Sequence, residues 1–479
     1  MRAHKWFAAV AALSALCVGL LASAQPARAA SYVPISGAGS TWSYAAIHQW
    51  IANVVQYGLA VNYAPVGSTV GRTEFKDGTV DFAASDIPYG LRDGNSFDPP
   101  PSRGHAYIPD TAGGLAFVYN LSIGGQRVTN LRLSGAVLAG IFTNTITSWN
   151  DPAITADNPG LALPAEPIVP VVHSEGSAES AQLTQWMIAT QGPDWTAYCA
   201  TVGRSPCTQT SAYPVEPGTG MVGQVGDLGV TGYVSQAQAN GAIGFVDYSD
   251  ALASGLPVAK VLNAAGYYTA PTAGNVGVSL LKAQIDTDTN SPLYLTADLS
   301  QVYADTDPRT YELSAYSYLI VPTDTSNGFT TDKGYTLGAF GQYLLCQGQQ
   351  QVDALGYSAL PINLVEDGYQ QLAKIPGASV PATTTAFLQG CNSPTFSSDG
   401  TDTLAQTDPY PPACDKQGPA QCDANGDGGG TVVPVGSVGL IGVAALAGCA
   451  LFVVTQWRRR NRKTGKVSAG KVSAGKVSA

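Results

Sequence analysis

"NYAPVGSTVGRTEFKDGTVDFAASDIP", residues 62–88, decides how this chain folds. A β-rich run ends at Val66 and enters a Gly67-Ser68 turn. A helical stretch carrying Arg72 follows, and a second β-rich run, 79–86, delivers Asp86. Short strands alternating with helices are the pattern of an α/β protein with parallel sheets. In open sheets of that kind ligands bind beyond the carboxyl ends of the strands. Ser68 and Asp86 both fall there.

The alternation extends outward from this stretch, over about residues 31 to 385. "LAVNYAPV" (59–66), "TVDFAASD" (79–86), "GGLAFVYNLS" (113–122), "PIVPVVHS" (167–174), "GAIGFVDYS" (241–249) and "AYSYLIVPT" (315–323) read as strands. "TWSYAAIHQWIANVV" (41–55), "SGAVLAGIF" (134–142), "AESAQLTQWMIA" (178–189) and "LGAFGQYLLCQGQQQVDALG" (337–356) read as helices.

Two further junctions share the chemistry of the first. "SGAGSTW" (36–42) opens a helix with Thr41 and Trp42, and "HSEGSAES" (173–180) opens another with Ser177 at the cap position. Each such turn offers backbone N–H groups, hydroxyl donors and a helix dipole to an anion. Gly and Ser are also ordinary turn and cap residues. The pattern therefore names candidates and does not prove that they converge.

The two ends have their own character. Residues 1–30 combine Arg2 and Lys5, an apolar run and Ala27-Arg28-Ala29, as a secretory signal peptide does. Val435 to Gln456 carries no charge and has the length of a membrane span, and five basic residues follow between Arg458 and Lys463. The positive-inside rule puts this end in the cytoplasm. Between them, residues 392–433 are rich in Ser, Thr, Pro, Asp and Gly and read as a stalk. The chain is expected to be exported, cell-membrane-anchored and single-pass, with an extracellular N-terminal domain.

The formal net charge is −10, and the leader and tail contribute three and eight basic residues with no acid. The part between them therefore stands near −21, which argues against nucleic acid as a partner. Six cysteines lie there: Cys199, Cys207, Cys346, Cys391, Cys414 and Cys422. An even number in an exported chain points to disulfides. Proximity favours 199 with 207 and 414 with 422, leaving 346 with 391. Their spacings and the scarcity of histidine argue against zinc, and no metal or cofactor is expected. "GTGMVG" (218–223) does not follow a strand and reads as a loop. An enzyme needs a nucleophile with a base. Only Ser177 and His173 are close in sequence, without a GxSxG stretch, so no catalysis is expected.

"GAGSTW", then residues 62–88, "GGLAFVYNL", "LRLSGAVLAGIFTNTITSWNDPAI", "VVHSEGSAES", "GAIGFVDYSDA" and "LGYSALP" closely resemble, in order, the phosphate-binding proteins of ABC transporters. The resemblance covers roughly residues 33–375. It implies a two-lobed, type II periplasmic-binding-protein-like fold. The lobes would be 31–110 with 306–391, and 111–305, followed by the stalk, a transmembrane helix at 434–457 and a basic tail at 458–479. It implies capture of inorganic phosphate or a related oxyanion for an ABC permease. Carried over by position, Thr41 and Trp42 match the first contact pair, and Ser68 a hydroxyl and N–H donor. Asp86 matches the carboxylate that accepts a hydrogen from protonated phosphate. Such an acceptor discriminates against fully ionised sulfate.

The third junction departs from that pattern. The family shows Arg, an acid, then Gly-Ser-Gly-Thr-Ser. Gly176, Ser177, Ser180 and the acid Glu175 keep it; His173 replaces the Arg, Ala178 a Gly and Glu179 the Thr. A permanent, forked cation is lost and a hydroxyl donor becomes a carboxylate. Two orientations are open for Glu179. Outward, it stabilises the first helical turn. Inward, it opposes an anion, which fits a surface protein of the same fold that has lost phosphate binding and takes another ligand. His173 could keep a charge beside Glu175, and Arg72 is a second candidate for compensation.

Overall fold

The computed structural model describes residues 31–93, 95–395, 402–423 and 432–434. The leader and the apolar C-terminal segment lie outside the described residues, as do parts of the expected stalk. Among the described residues no helix is long and apolar enough to cross a membrane.

One eight-stranded sheet runs through the molecule. In chain order its strands are β1 (Ile35–Gly39), β2 (Val61–Ala64), β3 (Phe82–Ser85), β4 (His105–Tyr119), β5 (Val169–His173), β6 (Val222–Gln224), β7 (Ala242–Asp247) and β8 (Ser314–Pro322). Their spatial order is β6-β5-β7-β4-β8-β3-β1-β2. β1 pairs in parallel with β2 and β3, and β5 in parallel with β6 and β7. Between these halves β4 and β8 run antiparallel to each other and to their outer neighbours. Two parallel halves joined by two long strands form an α/β protein of two lobes.

All six strands expected from the sequence are present. β4 begins eight residues earlier than expected and runs through Pro109, a residue that normally interrupts a ladder. The register with β8 shifts there. Ser317 faces Thr111 while Tyr318 faces Pro109, so Asp110 is an unpaired bulge residue and Pro109 sits where no ladder N–H is required. Gly113 has a packing reason. A Cβ there would lie 2.5 Å from Trp42 Nε1 and 3.0 Å from Asp247 Oδ1, so only glycine leaves room for the Trp42 indole against β4.

The helices that matter for the site are α1 (Tyr44–Val54), α2 (Ser68–Asp77), α3 (Ala178–Thr190), α4 (Gly226–Val234) and α5 (Thr331–Leu345). α5 starts six residues before the helix expected at 337 and stops at Leu345, where Cys346 turns the chain into its disulfide. The core is continuous through both halves and includes Trp42, Trp50, Trp149, Trp186 and Trp195, each fully buried.

The three disulfides join 199 with 207, 346 with 391 and 414 with 422, as proximity suggested. The stalk reading does not hold for 402–423, which pack on the lobe that carries β5 to β7. Arg132 Nη1 donates to the carbonyls of Cys414 (3.0 Å) and Ala420 (2.9 Å), and Lys260 pairs with Asp415 at 2.5 Å. Composition misled here because the contacts are mainly to backbone carbonyls, which every residue type supplies.

Candidate functional site

The strand ends of the two halves meet across a narrow seam. α2 begins at Ser68, capped by Gly67 in the left-handed region at φ 91°. Opposite it lies the turn before α3. Thr69 N donates to Gly176 O at 3.2 Å, and a Cβ on Gly67 would stand 3.0 Å from that same oxygen. The Thr69 hydroxyl donates to Ser211 at 3.0 Å, and Gln182 Nε2 to the Asp86 carbonyl at 3.0 Å. All three junctions singled out from the sequence therefore converge.

On the side of β1 and β3, Asp86 collects hydroxyls. Its Oδ2 accepts from Ser40 at 2.6 Å and from Ser68 at 3.0 Å, while the buried Oδ1 has no donor at hydrogen-bond geometry among the described residues. Burial raises its pKa, opposed by the Ser317, Ser40 and Ser68 hydroxyls. Behind it Asp110, the bulge residue of β4, is fully buried with neither carboxyl oxygen hydrogen-bonded. Burial first, then the Asp86 charge, push its pKa well above the usual carboxylate range. A cavity of about 250 Å³ opens beside Asp86, walled by Tyr89, Gln182, Gln185, Gln209 and Tyr318 among others.

On the side of β5, Glu179 points inward and is 0 % exposed. Thr41 Oγ1 donates to its Oε1 at 3.1 Å, and Oε2 has no donor. Burial raises its pKa, His173 opposes that, and Asp86 adds to it. Next to it stands Asp227, in the first turn of α4. Its Oδ1 accepts from Asp247 N at 3.1 Å, and its Oδ2 likewise meets no donor. Burial, then the Glu179 charge, push the Asp227 pKa well up, and His173 opposes both.

His173 supplies the charge that the sequence left open. Its Nδ1 lies 2.8 Å from Glu175 Oε1 and its Nε2 3.0 Å from Phe245 O. An imidazole facing a carboxylate and a carbonyl carries a proton on both nitrogens, since neither partner donates. Burial alone would lower its pKa; Glu175, Glu179 and Asp227 raise it to about 10. Glu175 in turn is held below the usual range by His173, against the effect of burial.

Three expected residues have other roles in this arrangement. Ser177 caps α3, accepting from Ser180 N at 3.1 Å, and its hydroxyl donates to Ser180 Oγ at 3.0 Å. Trp42 is a core residue whose carbonyl accepts from Tyr357 OH. Arg72 does not compensate for the lost Arg. It binds Asp98 at 2.7 Å, Ser85 Oγ at 2.8 Å and Ile87 O at 3.2 Å. The Ser177–His173 pairing that an enzyme would need is not formed, since both groups are engaged elsewhere. Sequence reasoning missed Ser40, Asp110, Gln182 and Asp227. Only Asp227 carried a local signal, as a first-turn acid, and such acids usually face solvent.

The PBP superfamily domain pattern matches residues 22–347. The phosphate-binding protein PstS of Xylella fastidiosa strain Temecula1 is 31% identical over 335 residues, 70% of this chain and 83% of that protein. The phosphate-binding protein PstS 2 of Mycobacterium tuberculosis is 29% identical over 332 residues, 68% of this chain and 83% of its own length. Among solved structures, a high-affinity periplasmic phosphate-binding protein bound with phosphate superposes with a TM-score of 0.55. It is 18% identical, covering 73% of this chain and 100% of that one, and shows a common fold.

Proposed function

The chain belongs to the PBP superfamily and, within it, to the PstS-like phosphate-binding proteins, and from that premise we propose that it captures inorganic phosphate outside the cell for an ABC-type importer. The proposal includes export through residues 1–30 and anchoring through 434–457. One observation supports it most: Thr41, Ser68 and Asp86 meet the α3 turn across a single seam, with hydroxyl donors on an acceptor carboxylate. The turns that open α2 and α3 touch at Thr69 N and Gly176 O, and oxyanions bind at helix N-termini. Asp86 then accepts the hydrogen of a protonated phosphate, which sulfate lacks. The family is one of binding proteins, and the site here is a set of hydrogen-bond donors and acceptors.

Calorimetric titration of the purified full-length protein with phosphate tests this. A stoichiometric heat is expected, with sulfate bound more weakly; no heat at millimolar phosphate at any pH would overturn it. The inward Glu179 favours a second reading, a receptor of the same fold for another ligand. That reading gains if phosphate gives no heat while the protein still melts cooperatively.

A further inference from the structure

We propose that Glu179 makes oxyanion capture proton-coupled: the anion binds together with one proton shared between it and the Glu179 carboxyl. This rests on the phosphate-receptor reading and extends it by naming the protonated form that the site accepts.

The geometry comes first. Ser40 and Thr41 are consecutive, and their hydroxyls hold Asp86 at 2.6 Å and Glu179 at 3.1 Å. An anion that takes the Thr41 hydroxyl therefore has a carboxyl on each flank. Each of these fully buried carboxyls keeps one oxygen without a donor, Asp86 Oδ1 and Glu179 Oε2. Dihydrogen phosphate has two O–H groups and can satisfy an acceptor on each side. Hydrogen phosphate has one, so its second negative oxygen would face a carboxylate.

The surroundings of Glu179 hold little positive charge. From β5 and the turn after it come His173 and Glu175, from the loop after β3 Asp86, and from the first turn of α4 Asp227. Beyond Asp227 lie Asp247 and Asp250, both with pKa raised by burial. His173 is the one cation among these groups, and both its nitrogens are spent on Glu175 and Phe245. Burial and the Glu179 charge favour the neutral form of Asp227. A dianion thus enters a site with Asp86, Glu175 and Glu179 against one imidazolium. Either dihydrogen phosphate brings the missing proton, or hydrogen phosphate arrives and the proton comes from the buffer. The count is the same by both routes.

The test is titration of the full-length protein with inorganic phosphate from about pH 6 to about pH 9, in pairs of buffers that differ in ionisation enthalpy. Above the second ionisation of phosphate, uptake of about one proton per phosphate is expected, with affinity falling about tenfold per pH unit. Glu179→Gln, which mimics the protonated side chain, should bind about tenfold or more tightly than the parent at the alkaline end, with a flat pH profile. Equal proton uptake and equal slopes in the two proteins would overturn the proposal. Should the variant not fold, the parent still decides: no uptake at the alkaline end overturns it. No phosphate heat in either protein would instead overturn the receptor reading itself, a result distinct from parallel slopes.

Discussion

The two walls of the seam solve the same problem in opposite ways. On one, Asp86 is a buried acid surrounded by neutral hydroxyls from Ser40 and Ser68, with no cation in contact. On the other, Glu179 sits in a charged set, between the His173 imidazolium and the buried Asp227 carboxyl. The first wall keeps the pattern that the sequence shares with phosphate-binding proteins, and the second has rewritten it. Hydroxyl donors tolerate either charge state of their neighbour. A buried ion cluster does not, because removing one member leaves its partners desolvated and uncompensated. The second wall should therefore be the more fragile under mutation and pH.

The largest effect is expected from His173→Ala. It leaves Glu175 and Glu179 without their cation and should cost about 3–5 kcal/mol of stability, the usual penalty for breaking a buried ion pair. Chemical denaturation measures it. The double variant with Glu179→Gln should recover part of the loss, and a strictly additive pair would separate the two residues. Asp86→Asn probes the other wall. Loss of a charged acceptor is worth about 1.5–3 kcal/mol, so phosphate affinity should fall roughly ten- to a hundredfold while sulfate changes little. Equal losses for both anions would contradict the acceptor role.

The pH dependence of stability follows from the signs of the shifts. His173 is raised to about 10, so its contribution is complete below the unfolded value of 6.5 and is lost as pH climbs through 10. Asp250, raised from 3.8 to about 8, and Glu312, raised from 4.5 to about 7, act in the same direction. A buried acid with a raised pKa prefers its proton in the fold, so deprotonation works against folding. Thermal melts should therefore give a Tm highest in mildly acid buffer and falling toward about pH 10. A Tm that rises over that range would contradict the protonation states assigned to the second wall. The smallest effect is expected from Ser177→Ala. Loss of an N-cap costs about 1 kcal/mol, and phosphate affinity should barely move, because the hydroxyl is engaged with Ser180. A large affinity loss would return Ser177 to the binding set.

Much of this molecule is legible in the amino-acid order. Short β-rich runs separated by Gly/Ser turns and helices gave every expected strand of the main sheet. The junction stretches at 36–42, 65–71 and 173–180 do converge. The sequence was least informative where a side chain's partner is distant. Arg72 looked available until Asp98 and the Ile87 carbonyl claimed it. Residues 402–423 looked like a spacer until Arg132 and Lys260 bound them. Ser40 and Asp227 join the site from positions 46 residues before Asp86 and 48 after Glu179, and no local pattern links such pairs.

By itself the sequence determined the α/β architecture, the turns that face the seam and the substitution of a carboxylate at position 179. Only the tertiary structure decided which way that carboxylate points. On an ordinary surface helix, the spacing of apolar residues separates the inner face from the outer. α3 gives no such reading, because residues 178–184 are all buried. With no outer face in its first two turns, Glu179 had nowhere to turn but inward. Its charge was then met by partners from two other segments, Thr41 and His173.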